Sequence, residues 1–344
     1  MGDSTTGQAP ELTTVADDEA VVHIGAEVRR YRGLIPDTSY DLDGITVHTL
    51  PRPGGQLLSV VATVNDVHFG EVECGRVDGT AIGPILQSGP DEPPYPETMN
   101  AGAIAEILAL RDGAGPDAVV VKGDLTAEGT EGEYEDFLVH YDTAFPGMLH
   151  HVRGNHDATH GTFAAFPTQE VGLPGATLAI LDTTIPGKES GRVTSAQLEW
   201  LDEIATRHER VLLFTHHQPW DPGSSSRPDR YFGINPDDSE RLVEVIARRR
   251  ALAGCFSGHT HRNRVRSFAA VPTVPMVEVA CVKDYPGSWA EYRVYEGGVI
   301  QVHRRVSTAA ALNWTNRTRA LFGGQYAQYS FGALADRCFV FGER

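Results

Sequence analysis

The chain has 344 residues, 41% of them hydrophobic, so it can bury the core of one large domain or two small ones. Its 29 Lys and Arg against 46 Asp and Glu give a formal net charge of −17. Such an acidic balance disfavours broad binding to nucleic acid or to an anionic membrane surface. A small phosphate compound is not excluded, because bound divalent metal ions reverse the sign of the charge locally.

The four cysteines are widely spaced and form no CxxC pair, which argues against a zinc ribbon or a redox motif. The first residues lack the basic segment and apolar core of a secretory signal. No apolar run approaches the ~20 residues that span a bilayer. These features predict a soluble, cytoplasmic protein with no membrane partner.

Residues 1–56 are predicted to contain a disordered start followed by a small β extension. Residues 1 to about 18 are polar and rich in Thr, Asp and Glu, a composition typical of disorder. Between Ala20 and Leu58, alternating apolar residues are interrupted by Gly and Pro, which predicts a β-hairpin segment packed on the main body.

Residues 57–306 are predicted to form the main domain, in which strands alternate with helices. Short apolar runs predict strands at residues 60–66, 117–122, 148–153, 177–182, 210–215 and 254–257. Helical spacing of apolar residues predicts helices at 98–111, 131–143, from Ser195 onwards, and at 238–250. Strands alone are predicted afterwards, at 274–282, 291–295 and 299–302.

Two further stretches flank this pattern. Residues 71–96 are rich in Gly and Pro and predict a long, strand-poor loop, and loops of that length are commonly functional. Residues 307–344 predict a helix and an aromatic tail. We expect this C-terminal extension to cover the active site or to form a homodimer contact.

Five predicted strands end in side chains that can bind a metal ion, and the carboxyl ends of strands in an α/β sheet are where ligands bind. These residues are Asp66 and His68, Asp124, Asn155 with His156 and Asp157, His216 with His217, and His259 with His261. Each motif alone is weak, because a core histidine or an Asp at a helix N-cap is the commoner interpretation. Together, at the ends of strands in one chain, they predict a metal site.

The order of these blocks resembles the calcineurin-like metallophosphoesterase superfamily. The blocks are Asp-x-His, Gly-Asp-x-x-x-x-Gly, Gly-Asn-His-Asp, His-His-x-Pro and Gly-His-x-His. The resemblance covers about residues 57–305 and is nearest to the bacterial branch of cyclic-nucleotide and glycerophosphodiester phosphodiesterases. It implies an α/β fold, a four-layer α/β/β/α metallophosphoesterase sandwich, here with an N-terminal β extension and a C-terminal helical and aromatic tail.

The resemblance also implies a two-metal centre and assigns its residues by position. The first metal would be bound by Asp66, His68, Asp124 and His261. The second would be bound by Asp124 as the bridge together with Asn155, His216 and His259. His156 would approach the substrate as general acid or phosphate binder, and Asp157 would orient its ring.

Two positions depart from the family pattern. His217 competes with His216 as a ligand, and His216 is favoured because His-His-Gln-Pro aligns without a gap on the His-His-Pro-Pro block of that branch. Asn65 stands where Ser or Gly is more usual, and we expect little effect from it.

The donor types also fit the reaction without reference to the family. Two metal ions ~3.5–4 Å apart, sharing a carboxylate, clamp the attacking and leaving oxygens of a phosphoester. His, Asn and Asp donors tolerate Mn, Fe or Zn. The chain carries no P-loop, nucleophile elbow or complete Rossmann fingerprint that would supply another chemistry. The predicted reaction is hydrolysis of a small phosphodiester by attack of a metal-bridging hydroxide.

Three alternatives stay open. A phosphomonoesterase acting on a nucleotide or sugar phosphate would use the same centre. A nuclease should carry a basic track, which the acidic composition disfavours. A non-catalytic scaffold should have lost ligands, whereas every implied position here holds a competent donor.

Overall fold

The computed structural model describes residues 9–77, 80–160 and 164–342, and it begins with short antiparallel strands. Three of them form a sheet in the order β1-β2-β3, and a two-stranded hairpin follows. These strands are β1 Glu11–Val15, β2 Glu19–Ile24, β3 Glu27–Arg32, β4 Ser39–Leu42 and β5 Ile45–His48. The β structure predicted between Ala20 and Leu58 is therefore present.

The predicted disordered start is wrong for residues 9–18. Strand β1 pairs with β2, and Val15 and Ala16 are fully buried. The hydroxyl of Thr14 also donates a hydrogen bond to the carbonyl oxygen of His303, 2.7 Å away. Burial of these side chains against the main body outweighs the polar composition. Residues 1–8 of that prediction lie outside the described residues.

The main body alternates strands and helices along the chain. Its first half contains β6 Leu57–Val64, β7 Cys74–Val77, β8 Thr80–Leu86, α1 Tyr95–Leu108, α2 Leu110–Gly113, β9 Ala118–Lys122, α3 Glu131–Ala144, β10 Leu149–Val152, β11 Gln169–Leu173 and β12 Ala176–Leu181. Its second half contains β13 Thr184–Ile185, β14 Lys188–Gly191, α4 Ser195–Arg207, β15 Val211–Thr215, α5 Pro236–Arg248, β16 Leu252–Ser257, β17 Arg264–Ser267, β18 Pro275–Glu278, β19 Ser288–Tyr295 and β20 Val299–Arg305.

Two six-stranded sheets organise this body. The first has the order β10-β9-β6-β19-β20 and is completed by the C-terminal strand β21, Phe339–Phe341. The second has the order β11-β12-β15-β16-β18-β17. Within the first sheet β6, β9 and β10 are parallel, and within the second β12, β15, β16 and β18 are parallel. Parallel strands bring their carboxyl ends to one edge of each sheet.

The two sheets and their helices form four layers. A shared apolar core lies between the sheets and includes Val61, Leu178, Phe214, Phe256 and Tyr292. A second core covers the outer face of the first sheet and includes Met99 of α1 and Phe137 of α3. A third covers the second sheet and includes Leu201 of α4 and Leu242 of α5. This confirms the α/β/β/α sandwich that the resemblance implied.

Helix α4 shows how the sequence specifies one of these layers. Thr194 accepts a hydrogen bond from the backbone amide of Gln197, and the Gln197 side chain accepts one from the amide of Thr194. These two bonds form a capping box, and they place the start of the helix at Ser195, as predicted. Leu198, Leu201 and Ile204 then face the second sheet at helical spacing.

Two stretches contain strands that the sequence pattern did not predict. The supposedly strand-poor loop at residues 71–96 holds the antiparallel pair β7 and β8. The C-terminal extension holds helix α6, Ala309–Thr318, and helix α7, Gln325–Phe331, and then strand β21, which pairs with β20. The predicted helix is confirmed, but the end of the extension belongs to the main sheet. Among the described residues, no helix combines the length and the apolar character needed to cross a membrane.

A substitution at Phe256 tests the packing of the core between the two sheets. Its ring is fully buried and lies 4.8 Å from the ring of Tyr292 and 5.3 Å from that of Phe214. We expect Phe256→Ala to lower the free energy of unfolding by about 3–5 kcal/mol, because it leaves a cavity at this packed position. Urea denaturation measures the change. Phe232→Ala, at a ring that is 49% exposed, is the matched control and should cost less than about 1 kcal/mol. Equal losses in the two variants would contradict this assignment of the core.

A buried histidine links the N-terminal sheet to the main body. His23 is 1% exposed; its Nδ1 lies 2.9 Å from the hydroxyl of Thr13 and its Nε2 lies 3.1 Å from that of Ser307. Burial, followed by the positive charges of Arg305 and Arg30, lowers the pKa of His23 to about 3.

This lowered pKa predicts a loss of stability in acid. The unfolded chain binds a proton at His23 below a pKa of about 6.5, while the folded chain binds it only near pH 3. The stabilisation is fully present above pH 6.5 and is lost as the pH falls toward 3. We expect His23→Gln to flatten the pH dependence of the unfolding free energy by about 1.4 kcal/mol per pH unit below 6.5. Urea denaturation of the parent chain and of His23→Gln at pH 7 and at pH 5 measures the difference. An equal change in unfolding free energy between the two pH values in both proteins would contradict the prediction.

Candidate metal centre

The predicted ligands converge where the parallel strands of both sheets end. Three largely buried sets bring their donor atoms within 4.8 Å of one another. These sets are Asp66 with His68 and His261, Asp66 with Asp124 and His216, and His68 with Asp124 and His156. The structure therefore brings together residues that are separated by up to about two hundred positions in the sequence.

Five of these residues have an unusual backbone conformation. The φ angle is 53° at Asp66, 49° at His68, 50° at Asp124, 67° at His259 and 53° at His261. Left-handed conformations in residues other than glycine cost of order 1–3 kcal/mol and cluster at functional sites. The strand predicted to reach Asp66 ends at Val64, since an extended ladder cannot continue through a left-handed residue. The left-handed residue turns each side chain from the strand end into the site.

The distances between donor atoms fit shared cations. The Nε2 atom of His261 lies 3.4 Å from Oδ1 of Asp66. The Nε2 atoms of His68 and His216 lie 3.5 Å and 3.4 Å from Oδ2 of Asp124. Two donors each about 2.1 Å from one tetrahedral ion would lie about 3.4 Å apart. Asp124 meets two imidazoles through one oxygen, as a bridging carboxylate would.

Unpartnered nitrogen atoms give an independent reason for a cation. Nε2 of His68 and Nε2 of His259 are buried and have no hydrogen-bond partner among the residues that the structure describes. The ring of His216 has Nδ1 2.8 Å from the carbonyl oxygen of Lys122 and Nε2 3.1 Å from Oδ1 of Asn155. If Nδ1 donates to the carbonyl oxygen, the lone pair on Nε2 of the neutral His216 ring faces the lone pairs on Oδ1 of Asn155. A cation or a proton between them would satisfy both groups, and the donor set fits a metal ion.

The local charge supports the same fit. Asp66 and Asp124 are both buried, with 0% and 2% of their surface exposed. Burial opposes a positive charge on His216, but Asp124 and Asp66 outweigh it and raise the pKa of His216 to about 9. The two carboxylates thus create a negative site that attracts positive charge.

His217 is held by groups outside the candidate ligand set. Nδ1 of His217 lies 2.8 Å from the hydroxyl of Thr183, and its Nε2 lies 3.1 Å from the carbonyl oxygen of Glu189. Although His217 lies within the same cluster of imidazoles, both of its ring nitrogens already contact protein groups. His216 keeps Nε2 directed at Asp124.

The predicted role of Asp157 in orienting the ring of His156 is wrong. Its carboxylate accepts hydrogen bonds from the amides of Gly154, Leu125 and Thr126, at 2.7, 3.1 and 2.9 Å, and from the Thr126 hydroxyl. Asp157 is 1% exposed, and its hydrogen bonds connect the loop that begins at Gly154 with the loop that contains Leu125 and Thr126.

His156 is instead fixed by a backbone group. Its Nδ1 lies 2.7 Å from the carbonyl oxygen of Ala127, and its amide donates a 2.9 Å hydrogen bond to Oδ1 of Asp124. Burial lowers the pKa of His156, and the negative charge of Asp124 opposes this shift. Because Nδ1 is occupied, Nε2 is the atom available to a substrate.

A glycine explains the tight approach of two loops. A Cβ atom at Gly154 would lie 2.1 Å from Oδ1 of Asp124 and 2.3 Å from its amide nitrogen. Any side chain would therefore push the loop that carries Asn155 and His156 away from Asp124. The Gly-Asn-His-Asp block needs its first residue for this reason.

Three residues that support the site were not predicted from the sequence. Asn65, for which little effect was expected, donates a hydrogen bond to Oδ2 of Asp66 and a 3.0 Å bond to the carbonyl oxygen of Val279. Glu71 and Lys283 form a largely buried ion pair next to His68. Only its position directly before Asp66 could have drawn attention to Asn65, and nothing in the sequence links Glu71 to Lys283.

A cavity of about 540 Å³ opens beside the cluster. Its lining includes the polar groups Asp124, Asn155, His156, His259 and His261, and the apolar or aromatic groups Phe232, Leu321, Phe322, Tyr326 and Tyr329. The ring of Phe232 stacks on that of His259, with 3.8 Å between the ring centroids. A small molecule with one anionic group and an organic remainder fits this mixed lining.

Comparison with characterised proteins points to phosphoester chemistry. The chain is 28% identical over 186 residues to a cAMP/cGMP dual specificity phosphodiesterase of Mycobacterium tuberculosis, covering 50% of this chain and 56% of that protein. It is 29% identical over 215 residues to the 3′,5′-cyclic adenosine monophosphate phosphodiesterase CpdA of Escherichia coli, covering 56% and 76%. In three of the bacterial relatives the match spans only 60%, 64% and 56% of the relative's length.

The fold has a solved counterpart. A dimetal phosphatase from Danio rerio superposes with a TM-score of 0.57 at 14% identity, covering 73% of this chain and 97% of the other. A family model described as calcineurin-like phosphoesterase matches residues 59–263, a range that contains every predicted ligand from Asp66 to His261. The chain belongs to the calcineurin-like phosphoesterase family.

Proposed function

We propose that this protein is a metal-dependent phosphodiesterase that hydrolyses a small phosphodiester. The observation that carries the proposal is the convergence of carboxylate, amide and imidazole donors from five strand ends beside one cavity. The family match supports phosphoester hydrolysis, and relatives named as phosphodiesterases favour a diester.

We assign the donors to two cation positions. The first comprises Asp66, His68, Asp124 and His261, and the second comprises Asp124, Asn155, His216 and His259. Two divalent cations bound there would supply Lewis-acid polarisation of the phosphate and activation of water. Asp124 contributes to both positions, and the amide of His156 holds its other oxygen in place.

His156 contacts the substrate in this proposal. The carbonyl oxygen of Ala127 holds a proton on its Nδ1, so a second proton on Nε2 makes the ring a donor toward the cavity. A bound phosphate favours that cationic form by its negative charge. The ring then protonates the leaving oxygen or binds the phosphate.

The C-terminal extension forms part of the substrate site. Leu321, Phe322, Tyr326 and Tyr329 line the cavity, and the Tyr329 hydroxyl donates a 2.9 Å hydrogen bond to the carbonyl oxygen of Thr260. We propose that this segment acts as a cap over the organic part of the substrate.

A point substitution tests the cap better than truncation. Removal of residues after about 307 would also delete β21 and the buried Trp314, and so would damage the core. We expect Tyr329→Ala to raise KM about 10-fold with little change in kcat, because contacts to a non-reacting group bind substrate and transition state equally. Steady-state kinetics measures it. A fall in kcat at constant KM would contradict the cap.

The reaction itself is tested with bis(p-nitrophenyl) phosphate in the presence of Mn²⁺, Fe²⁺ or Zn²⁺, beside p-nitrophenyl phosphate and a single-stranded oligonucleotide. We expect the diester to have the highest kcat/KM. Faster turnover of the monoester or the oligonucleotide would replace the diesterase assignment by a phosphomonoesterase or a nuclease. Metal binding below one ion per chain without turnover of any substrate would indicate a non-catalytic scaffold.

A further inference from the structure

A carboxylate contacts the Nδ1 atom of one imidazole in the candidate centre. Nδ1 of His68 lies 3.0 Å from Oε2 of Glu71, and His68 is 3% exposed. This contact leaves the unpartnered Nε2 of the same ring facing Asp124. Glu71 follows β6 by seven residues, so a short turn of chain carries both groups.

A buried lysine holds this carboxylate in turn. Nζ of Lys283 lies 2.6 Å from each carboxylate oxygen of Glu71, and its side chain is 6% exposed. The backbone at Lys283 is itself fixed, since its carbonyl oxygen accepts a 2.9 Å hydrogen bond from the indole of Trp314. Lys283 also lies 3.8 Å from Asp284. The contacts from Trp314 through Lys283 and Glu71 to His68 are therefore continuous, and within them only Glu71 is partly exposed, with 18% of its side chain accessible.

Two other rings of the site are held differently. Nδ1 of His216 lies 2.8 Å from the backbone carbonyl oxygen of Lys122, and Nδ1 of His156 lies 2.7 Å from that of Ala127. A backbone carbonyl selects a tautomer but carries no net charge. A carboxylate also increases the electron-donating strength of the opposite nitrogen. His68 is thus the ring in this group that is supported by a charged side chain.

We propose that Glu71, clamped by Lys283, is a positioning residue that keeps the proton of His68 on Nδ1 and directs Nε2 as an electron-pair donor to the first cation position. This inference rests on the proposed function, because it concerns the same centre.

Variants of the full-length chain test the pair by metal binding rather than by activity. Glu71→Gln removes the charge and leaves Lys283 buried without its counter-ion, so it can reduce stability. The double variant Glu71→Gln/Lys283→Met removes both charges at nearly constant volume and restores neutrality. Glu73→Gln, at an exposed acid two positions away, is the matched control.

Calorimetric titration with Mn²⁺ gives the first readout. We expect two sites in the parent chain and in Glu73→Gln. In both Glu71 variants, one site should weaken about 10–100-fold while the other changes less than about threefold. Thermal unfolding of the metal-free double variant near the parent temperature shows that the loss is not caused by unfolding.

The tautomer gives a second readout that needs no variant at Glu71. In the zinc-loaded parent chain, labelled with ¹⁵N in histidine and assigned by comparison with His68→Asn, the His68 proton should reside on Nδ1. A proton on Nε2 would overturn the proposal, and so would unchanged Mn²⁺ affinities in both Glu71 variants. A parent chain that binds two Mn²⁺ ions without hydrolysing any phosphoester would contradict the proposed function but not the role of Glu71. A parent chain that binds no Mn²⁺ would contradict both the proposed function and the role of Glu71.

Discussion

Asp124→Asn is expected to reduce phosphodiester turnover by at least about 10³-fold and to lower Mn²⁺ binding from two ions to at most one. The substitution keeps the shape and one acceptor oxygen but removes the charge that both imidazoles, His68 and His216, face at 3.5 and 3.4 Å. Metal ions contribute several kcal/mol of transition-state stabilisation, and each 1.36 kcal/mol corresponds to a factor of ten in rate. Metal analysis and initial rates measure the two losses.

The matched control for Asp124 lies at the other end of the same strand. Asp117 precedes β9, and its carboxylate accepts a 2.7 Å hydrogen bond from the amide of Val60. Asp117→Asn should leave metal stoichiometry at two and turnover within about threefold, because it is remote from the cavity. Full turnover in Asp124→Asn would show that the bridging assignment is incorrect.

His156→Ala is expected to slow hydrolysis of a dialkyl phosphate by about 10²–10⁴-fold, the range typical of a general acid. The same substitution should slow bis(p-nitrophenyl) phosphate far less, since nitrophenolate departs without a proton. Because Nδ1 of His156 is engaged by Ala127, the effect depends on the second proton, at Nε2. Initial rates with the two substrates, compared as a ratio, isolate this proton transfer from general damage.

The outcome of the leaving-group comparison discriminates between the two roles of His156. Equal losses on both substrates would identify the ring as a phosphate binder and not as a proton donor. His150→Ala, a half-buried histidine on strand β10 outside the candidate site, controls for the loss of an imidazole nearby. It should leave the ratio of the two rates unchanged.

The pairing of Glu71 with Lys283 and the cap of aromatic side chains affect different components of the reaction. The first concerns the strength of one ligand, and the second concerns the organic part of the substrate. Metal titration responds to the former and KM to the latter. The two contributions can therefore be measured independently in the same chain.

The sequence by itself determined the layered α/β architecture and the candidate ligands. Buried apolar runs specify strands, and residues at the carboxyl ends of parallel strands must meet, so the positions of Asp66, Asp124 and His216 followed from local patterns. Motif order then identified the family. The helix boundary at Thr194 was also predictable, because a capping box is a local feature.

The tertiary structure alone decided which partner each polar group has. Glu71 and Lys283 are 212 positions apart, and no periodicity connects them. Asp157 adjoins His156 in the chain, yet it binds the amides of another loop, which the close approach at Gly154 brings next to it. Strand β21 forms because β20 offers a free edge, which no local pattern reveals. Local propensity sets the elements, whereas hydrogen-bond partners depend on long-range packing, and the support of the site lies in those partners.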